Sequence, residues 1–282
     1  MNYLAKRSRT NSVDKNLKDG RGVGIGLDYK PWLKIQDVSS SGRSTRLKGI
    51  TIPRQYEFLS DMERNYFYLL EFSDYVVDIR EQYPLLPLEE TLLIAEELGI
   101  THPRNPKTNE PIVMTTDFVV TFQDKRMRKD YARTVKSKSD LMDERVLKKF
   151  EIERVFWERH DIDWGIVTEE EINQTMALNI SYVHAYQDLH NIEGFELITE
   201  TQFEDLVIEY IARMMRNTDS IRKISHLFER DFDLISGSGL SIFRHLIINK
   251  IIDINLLEKL DVNQIISIKT IRKDFSEKVR AI

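Results

Sequence analysis

Asp117 and Lys136 are the residues whose types and setting point most directly to chemistry. Residues 111–122 are rich in β-branched and aromatic side chains and are closed by Gln123-Asp124-Lys125, so they read as a β-strand with a carboxylate inside it. Residues 131–136 read as a second, shorter strand. A hairpin joining the two sets the carboxylate of Asp117 beside the ammonium of Lys136. In such an arrangement the acid can hold Mg²⁺ while the lysine orients or deprotonates the water that attacks a phosphodiester. The plain alternative is a cross-strand ion pair. Thr134 stands two residues before the lysine, where Glu, Asp or Gln is usual, so a further carboxylate has to come from elsewhere.

Two elements offer one. Ser60-Asp61-Met62-Glu63 opens a helix running to about Phe72, and Ser-x-x-Glu is also a capping box, so Glu63 has a purely structural use as well. A longer helix, from Asp140 to about Arg159, gathers Met142, Val146, Phe150, Phe156 and Trp157 on one side. Glu153 points into that arc, whereas Glu151 and Glu158 face away. A buried acid is costly unless it is paired or metal-bound. Lys149, near the same face, is the alternative partner to a metal.

The elements that must position these residues alternate. After the Glu63 helix, residues 75–83 form a strand stopped by Pro84, residues 91–98 a helix ended by Gly99, and residues 163–168 a further strand. This is an α/β sandwich, and residues 1–168 form its domain. Thr168-Glu-Glu-Glu171 predicts a capped helix to about Gln187. Beyond Asn191 helices dominate: residues 200–216, 220–228 and 238–250, followed by β-like runs at 251–254 and 264–269. Three helices and a small hairpin are the order of a winged-helix module, so residues 169–282 read as a mostly helical, winged-helix-like domain.

The composition narrows the classes. At 282 residues and 41% hydrophobic content the chain can bury two cores. It has no cysteine, which excludes disulfides and zinc-thiolate sites, so the setting expected is a reducing cytoplasm. No apolar run is long enough for a membrane span, so no membrane partner is expected. The net charge of −5 argues against a protein that coats nucleic acid, but the first fifty residues hold eleven Lys and Arg against four Asp, or +7, leaving −12 for the rest. Residues 1–18 read as a polar, basic, aperiodic arm. The run Gly20-Arg-Gly-Val-Gly-Ile-Gly26 lacks the strand and helix of a dinucleotide loop and reads as a connection to a short strand at 32–36. Residues 39–46 read as a loop in which Arg43 and Arg46 suit phosphate contact.

Taken together, Glu63, Asp117, Lys136 and Glu153 give a sequence that resembles the TnsA endonuclease subunits of Tn-seven-type heteromeric transposases. The resemblance is carried by the Gly-rich start with Asp28-Tyr-Lys-Pro-Trp-Leu33, by Ser40-Ser-Gly-Arg-Ser44 and Leu59-Ser-Asp-Met-Glu63, and by Asp78-Ile-Arg-Glu-Gln-Tyr-Pro-Leu85. It continues through Met114-Thr-Thr-Asp-Phe118, Val135-Lys136, Asp143-Glu-Arg145 with Leu147, and Glu151-Ile-Glu-Arg154, and thins beyond about residue 190. It implies a restriction-endonuclease-like domain joined to a winged-helix-like one. It also implies Mg²⁺-dependent cutting at the 5′ ends of a transposon, with Mn²⁺ able to substitute, alongside a DDE transposase (TnsB-type) and an AAA+ regulator (TnsC-type). Glu63, Asp117 and Glu153 are implied at the metal and Lys136 at the attacking water. Thr134 departs from the family's usual Gln, which touches a secondary contact only. A stand-alone restriction or repair nuclease and a catalytically idle adaptor are the alternatives.

Overall fold

A computed structural model describes residues 13–37, 43–216 and 218–280. Residues 1–12 of the basic arm and the Ser39–Gly42 stretch lie outside the described residues. Residues 13–18, expected to be aperiodic, are helical. The chain divides into two compact units between Ile172 and Asn173.

In the first unit the apolar strands assemble into one mixed sheet. Strands β3 (Val76–Pro84), β4 (Thr115–Gln123), β5 (Arg128–Val135) and β6 (Asp163–Val167) lie in that order. The β3–β4 and β4–β5 pairs are antiparallel, while β5–β6 is parallel. A parallel neighbour needs a crossover, and helix α3 (Glu144–Arg159) supplies it. Helix α2 (Leu88–Glu97) joins α3 on one face of the sheet, where Leu85, Ile94, Val119, Ala132, Ile152 and Trp157 form a buried cluster. On the other face α1 (Asp61–Glu71) and a small hairpin of β1 (Thr45–Lys48) and β2 (Gln55–Phe58) close over the sheet. There Phe58 lies 4.7 Å from Phe67 and 6.1 Å from Phe118, centroid to centroid. Burying each such ring is worth about 1.5–3 kcal/mol.

Several boundaries differ from the sequence expectation. The predicted strand at 32–36 is not one. Trp32 is buried against Leu88 and Val113, and Ile35–Asp37 is a 3₁₀ turn, so this segment fills a gap beside the sheet without extending it. Strand β1 starts at Thr45, inside the 39–46 stretch expected to be a loop, and pairs with β2. Strand β4 begins at Thr115, four residues late, and β5 ends at Val135, which leaves Lys136 just beyond it. The helix predicted from Asp140 is interrupted: Asp140–Met142 is a 3₁₀ turn, Asp143 caps α3, and Met142 is 87% exposed.

The second unit is mostly helical: α4 (Gln174–His184), α5 (Glu200–Arg216), α6 (Ile221–Asp231), α7 (Ser238–Ile248) and α8 (Lys273–Arg280). The Thr168–Glu171 box forms, with the Thr168 N–H and hydroxyl both donating to Glu171 Oε2 at 2.7 Å, but it does not start the helix. Asn173 caps α4 instead, accepting from the Met176 N–H. The first β-like run pairs as β7 (Ile252–Asp253), but its partner β8 (Thr270–Ile271) lies just past the second run, and α8 follows it unforeseen. Between α6 and α7, Gly239 sits so close that a Cβ there would lie 2.7 Å from Ser225 Cα. No helix among the described residues is long and apolar enough to cross a membrane.

Candidate active site

The N-terminus of α1 presents Glu63. Ser60 accepts from the Glu63 N–H and donates its hydroxyl to Glu63 Oε1 at 2.8 Å, while Oε2 accepts from the Leu59 N–H at 3.0 Å. The capping use of Glu63 is therefore real. It does not compete with a second use, because the cap fixes the buried carboxylate at the wall of a cleft. That cleft, about 350 Å³, is lined by Glu63, Asp117, Thr134, Lys136, Lys149 and Glu153 among others. The four residues singled out from sequence thus reach one cavity from three helices and strands and the end of β5.

Asp117 stands on β4 with Oδ2 accepting from the Val135 N–H at 2.8 Å. Its other oxygen faces a residue the sequence did not single out. Gln82 Nε2 donates to Asp117 Oδ1 at 3.2 Å and to Glu63 Oε2 at 3.5 Å. The Thr115 hydroxyl donates to Gln82 Oε1, which fixes the amide with its nitrogen towards the acids. Gln82 has φ +48° within β3, and its carbonyl turns out of the sheet to accept from the Trp32 N–H at 3.1 Å. A non-glycine residue in this region is strained, and such strain collects at functional sites. No pattern in the sequence marks a left-handed residue inside a strand.

Burial and the neighbouring Asp117 raise the Glu63 carboxyl to about 7. Burial raises that of Asp117, also to about 7; the Val135 N–H pulls against it, Glu153 adds a smaller push, and Gln82 and Lys136 pull more weakly still. Lys136 lines the same cleft as Asp117 but does not form the cross-strand ion pair with it that the hairpin offered. Its ammonium pairs with Asp140 at 3.2 Å, because β5 ends before it and the following turn brings Asp140 round.

Glu153 is 2% exposed and does not use Lys149, which is exposed to solvent. Its Oε1 accepts from the hydroxyls of Thr116, at 2.6 Å, and Thr134, and from the indole of Trp164 at 3.0 Å. Burial raises its carboxyl as well. Thr134, which breaks the usual triplet, thus ties the end of β5 to α3. Among the described residues no three acids or imidazoles converge closely enough to hold a metal ion. The nearest approach to such a site is the Glu63–Asp117 pair. These are hard oxygen donors, and a pair of acids each held near pH 7 is an arrangement that a divalent cation relieves; Mg²⁺ commonly takes only one or two carboxylates, with water and phosphate oxygens at the other positions.

Arg43 and Arg46 are not part of the cleft. Arg46 pairs with Glu57 at 3.3 Å and donates to Gln36, and Arg43 is exposed.

Residues 73–169 match the family described as TnsA-like endonuclease N terminal, and residues 171–256 match TnsA endonuclease C terminal. A relative from Escherichia coli, the Transposon Tn7 transposition protein TnsA, is 35% identical over 252 residues, which cover 89% of this chain and 88% of the relative.

Proposed function

The chain belongs to the TnsA endonuclease family, and on that premise we propose that it is the DNA-cutting subunit of a transposition complex, hydrolysing the strands at the 5′ ends of its element in a Mg²⁺-dependent reaction. The observation that carries this reading is the pairing of Glu63 with Asp117 through Gln82, in a cleft that Lys136 also lines.

Each residue has a share of the work. Glu63 and Asp117 hold the cation, each anchored through one oxygen by a backbone N–H, from Leu59 and Val135 respectively. When bound, Mg²⁺ lowers the pKa of a coordinated water and neutralises charge on the phosphate. Gln82 keeps the two carboxylates at a fixed separation. Lys136 turns from Asp140 towards the scissile phosphate, where its ammonium orients the attacking water and offsets charge in the transition state. Glu153 supports the site from behind Thr134, so that the end of β5 keeps its place relative to α3. Mn²⁺ is expected to substitute for Mg²⁺.

The first unit, a mixed sheet with a β5–α3–β6 crossover and its acids at one end, supports a restriction-endonuclease-like reading. The helical second unit, with a two-residue antiparallel strand pair, supports a winged-helix-like module that contacts an AAA+ regulator. A DDE transposase supplies end recognition and the 3′ cuts, since no basic recognition helix is evident among the described residues.

The test is strand-resolved cleavage of transposon-end DNA with Mg²⁺, using the chain alone, with its transposase and ATPase partners, and as Asp117→Ala with those partners. Loss of the 5′-strand cuts alone in the variant is the expected result. Unchanged 5′ cutting would sink the site, and robust cutting without partners would make the chain a stand-alone nuclease.

A further inference from the structure

A second cavity, of about 430 Å³, opens beside the cleft, and Pro103 and Lys149 line both. Its remaining walls are the 99–104 loop and the first turns of α3, and they are basic. Arg145, Lys148 and Lys149 fall at i, i+3 and i+4, which places them on one helical face, and Arg104 stands opposite. His102, the other ionisable wall, is buried with its ring bonded to the Thr91 hydroxyl and held below its usual pKa by burial, so it adds no charge. Among the described residues no acid lines this cavity.

Elsewhere on α3 the exposed cations are neutralised. Arg154 lies between Glu151 at 2.7 Å and Glu158 at 2.9 Å, and Arg159 pairs with Glu97. Among the described residues, Lys148 alone of the trough cations has such a partner, Glu144 at 2.7 Å. The side chains of Arg145 and Lys149 are exposed and meet no carboxylate among the described residues. Like charges left unpaired at i, i+4 destabilise a helix slightly, and a polyanion laid along them removes that cost.

We propose that this trough seats the phosphate backbone of duplex DNA where it leaves the cleft, with Arg145 and Lys149 on phosphates neighbouring the scissile one. The inference rests on the endonuclease reading and adds the path of the substrate to it. It places the phosphate contacts on α3 and the 99–104 loop, away from Arg46, whose guanidinium is already engaged by Glu57.

The experiment is a binding titration of the full chain with a short labelled duplex of arbitrary sequence, in EDTA, over a salt series. Arg145→Gln/Lys149→Gln should weaken binding on every sequence and reduce the slope of log K against log salt by about 1.8, from about 0.9 per phosphate contact. Lys125→Gln/Arg128→Gln, at the exposed β4–β5 turn, removes the same charge elsewhere and should leave the slope unchanged. A trough variant with wild-type slope, equal losses in both variants, or a wild-type chain with no salt-dependent binding would each overturn the trough. The endonuclease reading is judged separately, by 5′ cutting in the wild type against Asp117→Asn; cutting that persists alongside an unchanged slope removes the trough alone.

Discussion

Gln82 and Asp117 lie opposite each other on β3 and β4, and the amide of the first donates to the carboxylate of the second at 3.2 Å while reaching Glu63 at 3.5 Å. One neutral side chain thus spaces two acids that repel each other. Substituting it separates backbone strain from site geometry. Gln82→Gly should be more stable than Gln82→Ala by about 1 kcal/mol, because only glycine adopts φ near +50° without penalty. Both should bind Mg²⁺ more weakly than the wild type. Thermal melting and isothermal titration decide; equal stability of the two variants would show that the left-handed backbone at Gln82 carries no cost.

The Glu63–Asp117 pair sets a pH dependence. In the unfolded chain these carboxyls ionise near pH 4, and in the folded cleft at about 7. Between those values the folded state binds more protons, so the metal-free protein loses stability as pH rises from 4 to 7 and recovers none above it. Melting in EDTA at pH 5.5 and 8 should show a larger loss in the wild type than in Glu63→Gln/Asp117→Asn, which keeps only the share of Glu81 and Glu153, whose carboxyls burial also raises, and Mg²⁺ should reverse the difference at pH 8. A double variant with the same loss would place the proton uptake elsewhere.

Lys136 and Asp140 give a kinetic prediction. Lys136→Ala should slow single-turnover cleavage by about 10²–10⁴-fold, the usual size of a positioned acid–base or electrostatic contribution, with Mg²⁺ affinity little changed. Asp140→Asn, which only releases the ammonium from its 3.2 Å partner, should keep cleavage within a few-fold of wild type. A large loss in Asp140→Asn would mean that the ion pair is part of the working site.

Glu153 is held by donors alone, two hydroxyls and an indole. Glu153→Gln keeps an acceptor in place and should fold as the wild type does. Glu153→Ala leaves the Thr116 and Thr134 hydroxyls without this acceptor and Trp164 with only its 3.3 Å bond to Thr134, and should cost about 1–3 kcal/mol. Denaturant unfolding separates the two, and a well-folded Glu153→Gln chain that no longer cuts would move this acid from support to direct participation.

In the second unit Gly239→Ala should be among the costliest single-methyl additions. The new Cβ meets Ser225 Cα at 2.7 Å and its carbonyl oxygen at 2.9 Å, both backbone atoms that cannot rotate aside. Pushing α6 and α7 apart should cost about 1–3 kcal/mol, read from the unfolding midpoint.

What was legible in the sequence followed from local rules. The Ser60 cap, the β-branched run around Asp117 and the helical arc around Glu153 each mark an element, and the three acids they carry line one cleft together with Lys136. What was hidden depends on contacts made far along the chain. Gln82 looks like any polar position in an alternating strand until the Trp32 N–H takes its carbonyl. Lys149 was a fair partner for Glu153 by spacing, but Thr116, Thr134 and Trp164, from the three strands β4, β5 and β6, satisfy that acid first. Residues 32–36 have strand composition, but they meet the edge strand β3 through the single Trp32 N–H to Gln82 contact, and burial of Trp32 against Leu88 and Val113 decided their shape. Arg46 was read as a phosphate ligand because Glu57, its cross-strand partner, belongs to a hairpin the composition did not announce.

The segment ahead of β3 has a bearing on how such a nuclease could be inherited. The N-terminal family match begins at residue 73, yet Glu63 precedes it, as does Arg54, whose buried guanidinium grips Glu81 beside Gln82 at 2.5 and 3.0 Å. Upstream again, the Tyr29 hydroxyl and the Trp32 N–H hold the carbonyls of Glu81 and Gln82. A gene fragment starting at the matched boundary would encode the sheet and leave behind half of the acid pair and the clamp on its spacer. A fragment that keeps Glu63, Arg54 and the two upstream contacts on β3 therefore has to begin ahead of Tyr29.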